Sequence, residues 1–350
     1  MKENYKPVGK YIRVINQRNT DLKVKQLIGL SIDKCYITSV ANIIGTDLSN
    51  YKVIKRNQFA CSLMQVSRDG KIPIACMKEY DEAIMSPAYV VFEIINENEV
   101  LPDYLSMWFM RSEFDREASF LAVGGVRGSL AWDDFCGMKF PLVSIKKQIN
   151  TAKIYKLIVE RIILKKKIND ILEATLDTVF LETFFVQNSQ KSTKLGEIIS
   201  FSNGKSRPKT SGNIPVYGGN GILSYTDQSN AENTVLIGRV GAYCGSVYFE
   251  RGSCWVSDNA IYAKSKICSD EYFDYFLLRG LNLFNHHVGT GQQLLTQDIL
   301  NCIEIAKPDF RQIENFNMKA KAIFDIIAIN RTEILYLQHF LKLLLAQLAS

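Results

Sequence analysis

Three cations in a short glycine-bearing run, Lys205, Arg207 and Lys209 of SNGKSRPKTSGNIP, precede the glycine cluster VYGGNGIL at residues 216–223. Cations beside permissive backbone suit two chemistries: cradling a nucleotide's phosphates in an enzyme, or meeting a nucleic acid. The first needs a defined pattern. A Walker loop requires GxxxxGK followed by Ser or Thr, and Gly204, Lys205 and Ser206 supply its end without its first glycine. The strand, helix and distant acid of a dinucleotide fingerprint are not all present around VYGGNGIL. No two prolines are adjacent, which removes the Asn or Asp, Pro, Pro, aromatic motif of an amino-methyltransferase. Runs such as SLMQVS lack a GxSxG elbow, and no nuclease-like set of carboxylates and lysine stands out. The pattern excludes an assembled active site.

Metal chemistry fares no better. The eight cysteines are scattered without a CxxC pair, which reads as small buried residues in a reducing compartment. Of the three histidines, His286 and His287 are adjacent and point apart on any regular element, and His339 lies in a leucine-rich stretch.

Binding chemistry is better supplied. Asn203, Lys205, Arg207, Lys209, Asn220 and Tyr225 gather donors and an aromatic around flexible backbone, the mix that meets phosphates and base edges, although a solvated turn uses the same residues. Arg239, in the strand-like run TVLIGRV, joins this set. In the first half, SRDGK offers Arg68 and Lys71, and GVRGS offers Arg127; the second half places Gln292 and Gln293 near the position matching Arg127. Arg suits bidentate contact with guanine and Gln with adenine, so a divergence there is what two different half-sites require.

Two long helices must position these loops. The second, over 309–350, carries Phe316, Ala320, Ile323, Ile327, Asn330, Ile334, Leu337, Leu341 and Leu344 at alternating spacings of four and three, a heptad seam with one polar member that fixes register. The first, over 144–187, has a less regular stripe: Ile149, Ala152, Tyr155, Val159, Ile162, Ile168, Leu172 and Val179. Lacking proline and glycine, it spans about 60 Å at about 1.5 Å per residue. Its segment 146–167 holds Lys146, Lys147, Lys153, Lys156, Arg161, Lys165, Lys166 and Lys167 against the single acid Glu160.

Each helix closes a mixed α/β domain, over 1–143 and 188–308. Tyr104 aligns with Tyr272, Arg111 with Arg279, and Asp134 with Asp298; KQI before the first helix aligns with RQI before the second. Spacings of about 160 to 170 residues mark a diverged tandem duplication. The expected architecture is α+β: two mixed domains and two long helices in an antiparallel coiled coil, related by a pseudo-twofold axis with the domains at opposite ends. The chain has 350 residues and net charge +6, no long uncharged apolar run and a polar start, MKENYKPVGK, which reads as cytosolic.

With these stretches in order, the chain resembles the specificity subunit of a type I restriction-modification system. The stretches are FACSLMQVSRDGKIPIA, IMSPAYVVFEI, LPDYLSMWFMRSEFDREA and GGVRGSLAWDDFCGMKFPLVSIKKQI, then KLGEIISFSNGK, IPVYGGNGIL, VLIGRVGAYCGSVYF, CWVSDNA and GTGQQLLTQDIL. The resemblance implies a non-catalytic subunit whose two target recognition domains each read one half of a bipartite double-stranded DNA site. The coiled coil would set their spacing and dock two modification subunits, which methylate adenine, with restriction subunits joining to translocate and cleave. S-adenosylmethionine, ATP and Mg would belong to those partners, and this chain would hold no cofactor. A coiled-coil interaction protein with two protein-binding domains is the competing reading.

Overall fold

The structure, a computed structural model, describes residues 4–39, 45–125, 128–185, 191–268, 270–289 and 291–348. It forms two compact units, Met1–Leu164 with Ile334–Ser350, and Lys165–Glu333. Each long helix therefore contributes one part to either unit.

The first unit begins with β1 (Tyr5–Pro7), β2 (Ile12–Ile15), the hairpin β3 (Ile28–Leu30) and β4 (Tyr36–Thr38), then β5 (Lys52–Lys55), β6 (Phe59–Cys61) and one helical turn, α1 (Val66–Asp69). It continues through β7 (Ile74–Cys76), β8 (Glu82–Met85), β9 (Val90–Ile94), α2 (Pro102–Phe109), α3 (Ser112–Leu121), α4 (Trp132–Gly137), β10 (Lys139–Pro141) and the long α5 (Ile145–Phe184). A four-stranded antiparallel sheet runs β2, β9, β6, β7. Phe59 faces Phe92 across it with rings stacked at 5.2 Å, and Phe109 of α2 meets Phe59 edge-on at 5.8 Å. Proline at the first position of α2 costs no hydrogen bond there.

On α5, Ile158 and Ile162 are buried with Ile334 of the second long helix, α9 (Phe310–Leu348), while Leu337, Leu341 and Leu344 pack half-buried on them. Tyr155 and Leu345 pack on the core of the unit's α/β domain. Pairing of early α5 with late α9 makes the two antiparallel within this unit. Gln148, fully buried, donates from Nε2 to Glu99 O at 2.8 Å and Val143 O at 2.9 Å, and accepts from Leu101 N at 2.9 Å.

In the second unit β11 (Ser192–Lys194), α6 (Leu195–Ile198), β12 (Ile199–Asn203), β13 (Ile214–Gly218), β14 (Gly221–Thr226), β15 (Ala231–Gly238), β16 (Val247–Val256) and β17 (Ala260–Ser265) precede α7 (Tyr272–Gly280), α8 (Gln297–Cys302) and β18 (Glu304–Ala306). Six strands run in the order β12, β17, β15, β16, β13, β14, with β13 and β16 parallel. The end of α5 and the start of α9 enter the core: Phe180 meets Phe316 at 5.3 Å and Phe184 meets Phe273 at 4.9 Å. Asp309 caps α9 by accepting from Arg311 N at 2.8 Å. Asn317 of α9 accepts from Phe273 N at 2.8 Å and donates to Asp270 O at 3.0 Å.

The helices run antiparallel in this unit too, since Lys165 pairs with Glu333 at 2.7 Å and Arg331 with Glu173 at 3.1 Å. Phe316 and Ile327 are buried and Ile323 is half-buried. Asn330, 7% exposed, donates to Asn169 Oδ1 and accepts from Lys165 Nζ, both at 2.8 Å. On α5 the stripe read by spacing is met in part, with Ala152 and Ile162 buried and Tyr155, Val159, Leu172 and Val179 half-buried. Ile149 and Ile168 are exposed, whereas Ile158, Leu176 and Phe180 are buried. Apolar residues occur nearly all round this helix, so periodicity alone does not select its face.

Two buried acids bear on stability. In the first unit Asp115 pairs with Lys34 at 2.8 Å, the side chains 12% and 4% exposed, and also accepts from Ile72 N at 3.2 Å. Burial pushes the Lys34 ammonium below its usual range against the upward pull of Asp115. Removing the acid strands a buried cation, so Asp115→Ala should cost about 3–5 kcal/mol, read as a drop in the denaturant midpoint. An unchanged midpoint would contradict this pairing.

In the second unit Asp274 is completely buried, and its carboxyl lies beside that of Glu271. Burial first, then the nearby Glu271 carboxylate, hold its carboxyl well above the ordinary value. A raised folded-state pKa means that stability present at acid pH is lost as pH rises from the ordinary carboxylate value through the raised one. Asp274→Asn should remove this loss, raising the unfolding temperature relative to the parent more at pH 8 than at pH 5. An equal shift at both pH values would show that Asp274 is not the titrating group.

Candidate nucleic-acid interface

VYGGNGIL is the tip of a β-hairpin. Gly218 ends β13, Gly221 opens β14 at φ +76°, and Gly219 and Asn220 form the turn. The tip rests on the end of β15: a Cβ on Gly238 would lie 2.2 Å from Tyr243 O and 2.8 Å from Gly219 O, so glycine is required for the approach. Gly219 also backs onto Asn259 O and Val240 O, 3.6 and 3.7 Å from where its own Cβ would stand.

Further loops converge on the same place. Arg239 donates its backbone N–H to Asn259 O at 3.0 Å, and its carbonyl accepts from Leu295 N at 2.9 Å. Val288 and Leu294 exchange two backbone hydrogen bonds, closing a small loop that carries Gln292 and Gln293. Gly241 N donates to Gln293 O at 3.0 Å, joining that loop to the segment after Arg239. Beyond Asn203, which ends β12, Lys205 pairs with Ser257 and donates its N–H to Val256 O at 2.9 Å. Trp255 Nε1 donates to Lys205 O at 3.4 Å.

The fold thus gathers Asn220, Arg239, Gln293 and Lys205, with Gln292 and Asn203 adjoining. Arg207 and Lys209 are exposed, on the chain returning toward β14, where Thr210 and Thr226 hydroxyls meet at 2.8 Å. Tyr225 sits back along β14 opposite Pro215, about half exposed. The turn Ser257–Ala260 lies at the centre of the cluster and brings in Asp258 and Asn259, which charge and amide composition alone did not single out. The signal in the sequence was the turn-forming pair Asp-Asn between two strand-like runs.

The side chains of Lys205, Arg207, Lys209, Asn220, Asn259, Gln292 and Gln293 make no hydrogen bond or ion pair among the described residues. Arg239 Nε is buried without a hydrogen-bond partner among the described residues. Unspent donors of this kind can meet phosphates and base edges.

In the first unit, Leu130 N donates to Leu63 O at 2.8 Å, and a Cβ on Gly128 would lie 2.1 Å from Ser67 Oγ. The chain carrying α1 therefore lies against residues 128–130. Here the cations are engaged: Arg68 pairs with Asp69 at 2.7 Å and Lys71 with Asp33 at 3.5 Å, both pairs exposed. Arg127 lies outside the described residues.

Among the described residues no group of three or more His, Cys, Asp or Glu could hold a metal, and no helix is long and apolar enough to cross a membrane.

Residues 189–334, which contain the whole cluster, match the family model of the type I restriction modification DNA specificity domain. No curated protein matches the chain. Among solved structures, the S subunit of a type I restriction-modification system from M. genitalium superposes with a TM-score of 0.65 at 15% identity, over 98% of this chain and 95% of that one. The HsdS subunit from Thermoanaerobacter tengcongensis gives 0.38 at 16% identity, over 99% and 97%. A structure of type I assembly and conformational transition gives 0.48 at 16%, over 98% and 96%. The first superposition is at the level of fold; the other two are not. Residues 189–334 thus match a type I restriction modification DNA specificity domain, and the chain has the fold of that S subunit over nearly its full length.

Proposed function

We propose that the second unit reads one half of a bipartite double-stranded DNA site through the face built around Asn220, Arg239, Lys205 and Gln293, and that the first unit reads the other half. The observation that carries this reading is the coincidence of the specificity-domain match with loops whose donors are unpaired. The paired helices act as the spacer. At about 60 Å, a helix of 40 residues has the length of roughly two turns of DNA, at about 34 Å each.

The chain carries no catalysis of its own in this reading. It works in the cytoplasm, directing adenine methylation by two modification subunits and cleavage by restriction subunits. S-adenosylmethionine, ATP and Mg are bound by those partners. Exposed apolar side chains on the long helices support docking there: Leu157, Ile163 and Leu164 in one unit, Ile171, Ile326 and Ile329 in the other, each about half exposed or more. Bare apolar surface of this kind marks a partner surface.

Cations that neutralise phosphates release counterions, and each contributes about 0.9 to the slope of log affinity against log salt. In the complex with modification subunits, replacing Lys205 and Arg207 together by Ala should lower that slope by about 2 and weaken binding evenly across DNA sequences. A slope equal to that of the parent complex would remove these residues from the DNA backbone.

A further inference from the structure

The turn joining β16 to β17 stands at the centre of the face, and its tip presents an acid. Ala260 N donates to Ser257 O at 3.0 Å, so backbone alone closes the turn. Asp and Asn commonly serve in turns by accepting a nearby backbone N–H, and neither Asp258 nor Asn259 does so here. Both are exposed, with no side-chain hydrogen bond or ion pair among the described residues. The neighbours are cations and amides: Lys205 pairs with Ser257, Arg239 bonds Asn259 O, and the Asn220 hairpin backs onto the same carbonyl.

A carboxylate in this place weakens attraction for phosphate and contributes nothing to closing the turn. It has a use against base edges. In the major groove cytosine N4 and adenine N6 are donors, whereas guanine N7 and O6 and thymine O4 are acceptors. An ionised carboxylate accepts hydrogen bonds and donates none, so it rewards an amino base and repels a keto base at the same position.

We propose that Asp258 is a specificity-determining residue of the second unit, accepting a hydrogen bond from the exocyclic amino group of a cytosine or an adenine in the major groove. This rests on the reading of the surrounding face as the DNA interface. Asn259, beside it, offers both donor and acceptor and adapts to the flanking base. Lys205 and Arg239 hold the phosphates while Asp258 discriminates.

The test uses the full chain assembled with modification subunits, S-adenosylmethionine and a pool of randomised DNA duplexes, with methylated sites read by sequencing. The parent complex is expected to give a two-part motif containing a cytosine or adenine that Asp258 selects, and the base found distinguishes the two. Asp258→Asn, which adds a donor, is expected to admit guanine or thymine at that one position, with discrimination reduced about tenfold or more and the other positions kept. Asp258→Ala is expected to tolerate all four bases there.

If the parent gives no two-part motif, the reading of the face itself fails. If the parent gives one and both variants keep every position at parental discrimination, Asp258 does not read a base. Equal loss of methylation on all sequences, together with a lowered unfolding temperature, would assign Asp258 to the fold and overturn the proposal.

Discussion

In each unit a carboxamide buried on a long helix grips the backbone that leads into a short helix of the α/β domain. Gln148 binds Glu99 O, Val143 O and Leu101 N; Asn317 binds Asp270 O and Phe273 N. The two carboxamides are themselves buried, Gln148 completely and Asn317 at 5% exposure, and leaving such a buried polar group unpaired costs about 1–3 kcal/mol. Apolar packing around them is extensive but weakly directional, whereas a carboxamide with filled donors and acceptors fixes one geometry. Each α/β domain is thereby held in one orientation on the part of the long helices that belongs to its own unit. The aromatic cluster of Phe180, Phe184, Phe273 and Phe316 reinforces it in the second unit.

A second polar constraint lies between the helices themselves. Asn330 bonded to Asn169 and Lys165 is costly among isoleucines unless every partner is in place. Sliding one helix along the other would leave these groups unpaired, so the trio favours one register.

Much of this was legible in the sequence. Long stretches free of proline and glycine with heptad spacing read as helices, and the helices run Ile145–Phe184 and Phe310–Leu348. Tyr104 and the residue aligned with it, Tyr272, both lie buried on short helices, α2 and α7. The buried face of α5 was legible only in part, because Ile154, Leu157, Ile158, Ile162, Ile163 and Leu164 offer apolar surface on several sides. Nor was the face of the second unit, for a physical reason: Gly219, Arg239, Asn259 and Gln293 meet through backbone contacts between loops distant in sequence. Charge and glycine content located the hairpin tip, while the central turn with Asp258 became visible when the strands on either side were in place. In the first unit, the ion pairs of Arg68 and Lys71 depend on tertiary neighbours that composition does not reveal.

The central claim is that the second unit carries sequence specificity in its own loops. The most direct measurement exchanges residues 191–308 for the corresponding residues of another specificity subunit and maps methylated adenines across the genome of cells carrying the chimera with its modification subunit. The account predicts a motif in which one half changes to that of the donor while the other half stays as in the parent. A motif unchanged in both halves, or changed in both, would contradict it.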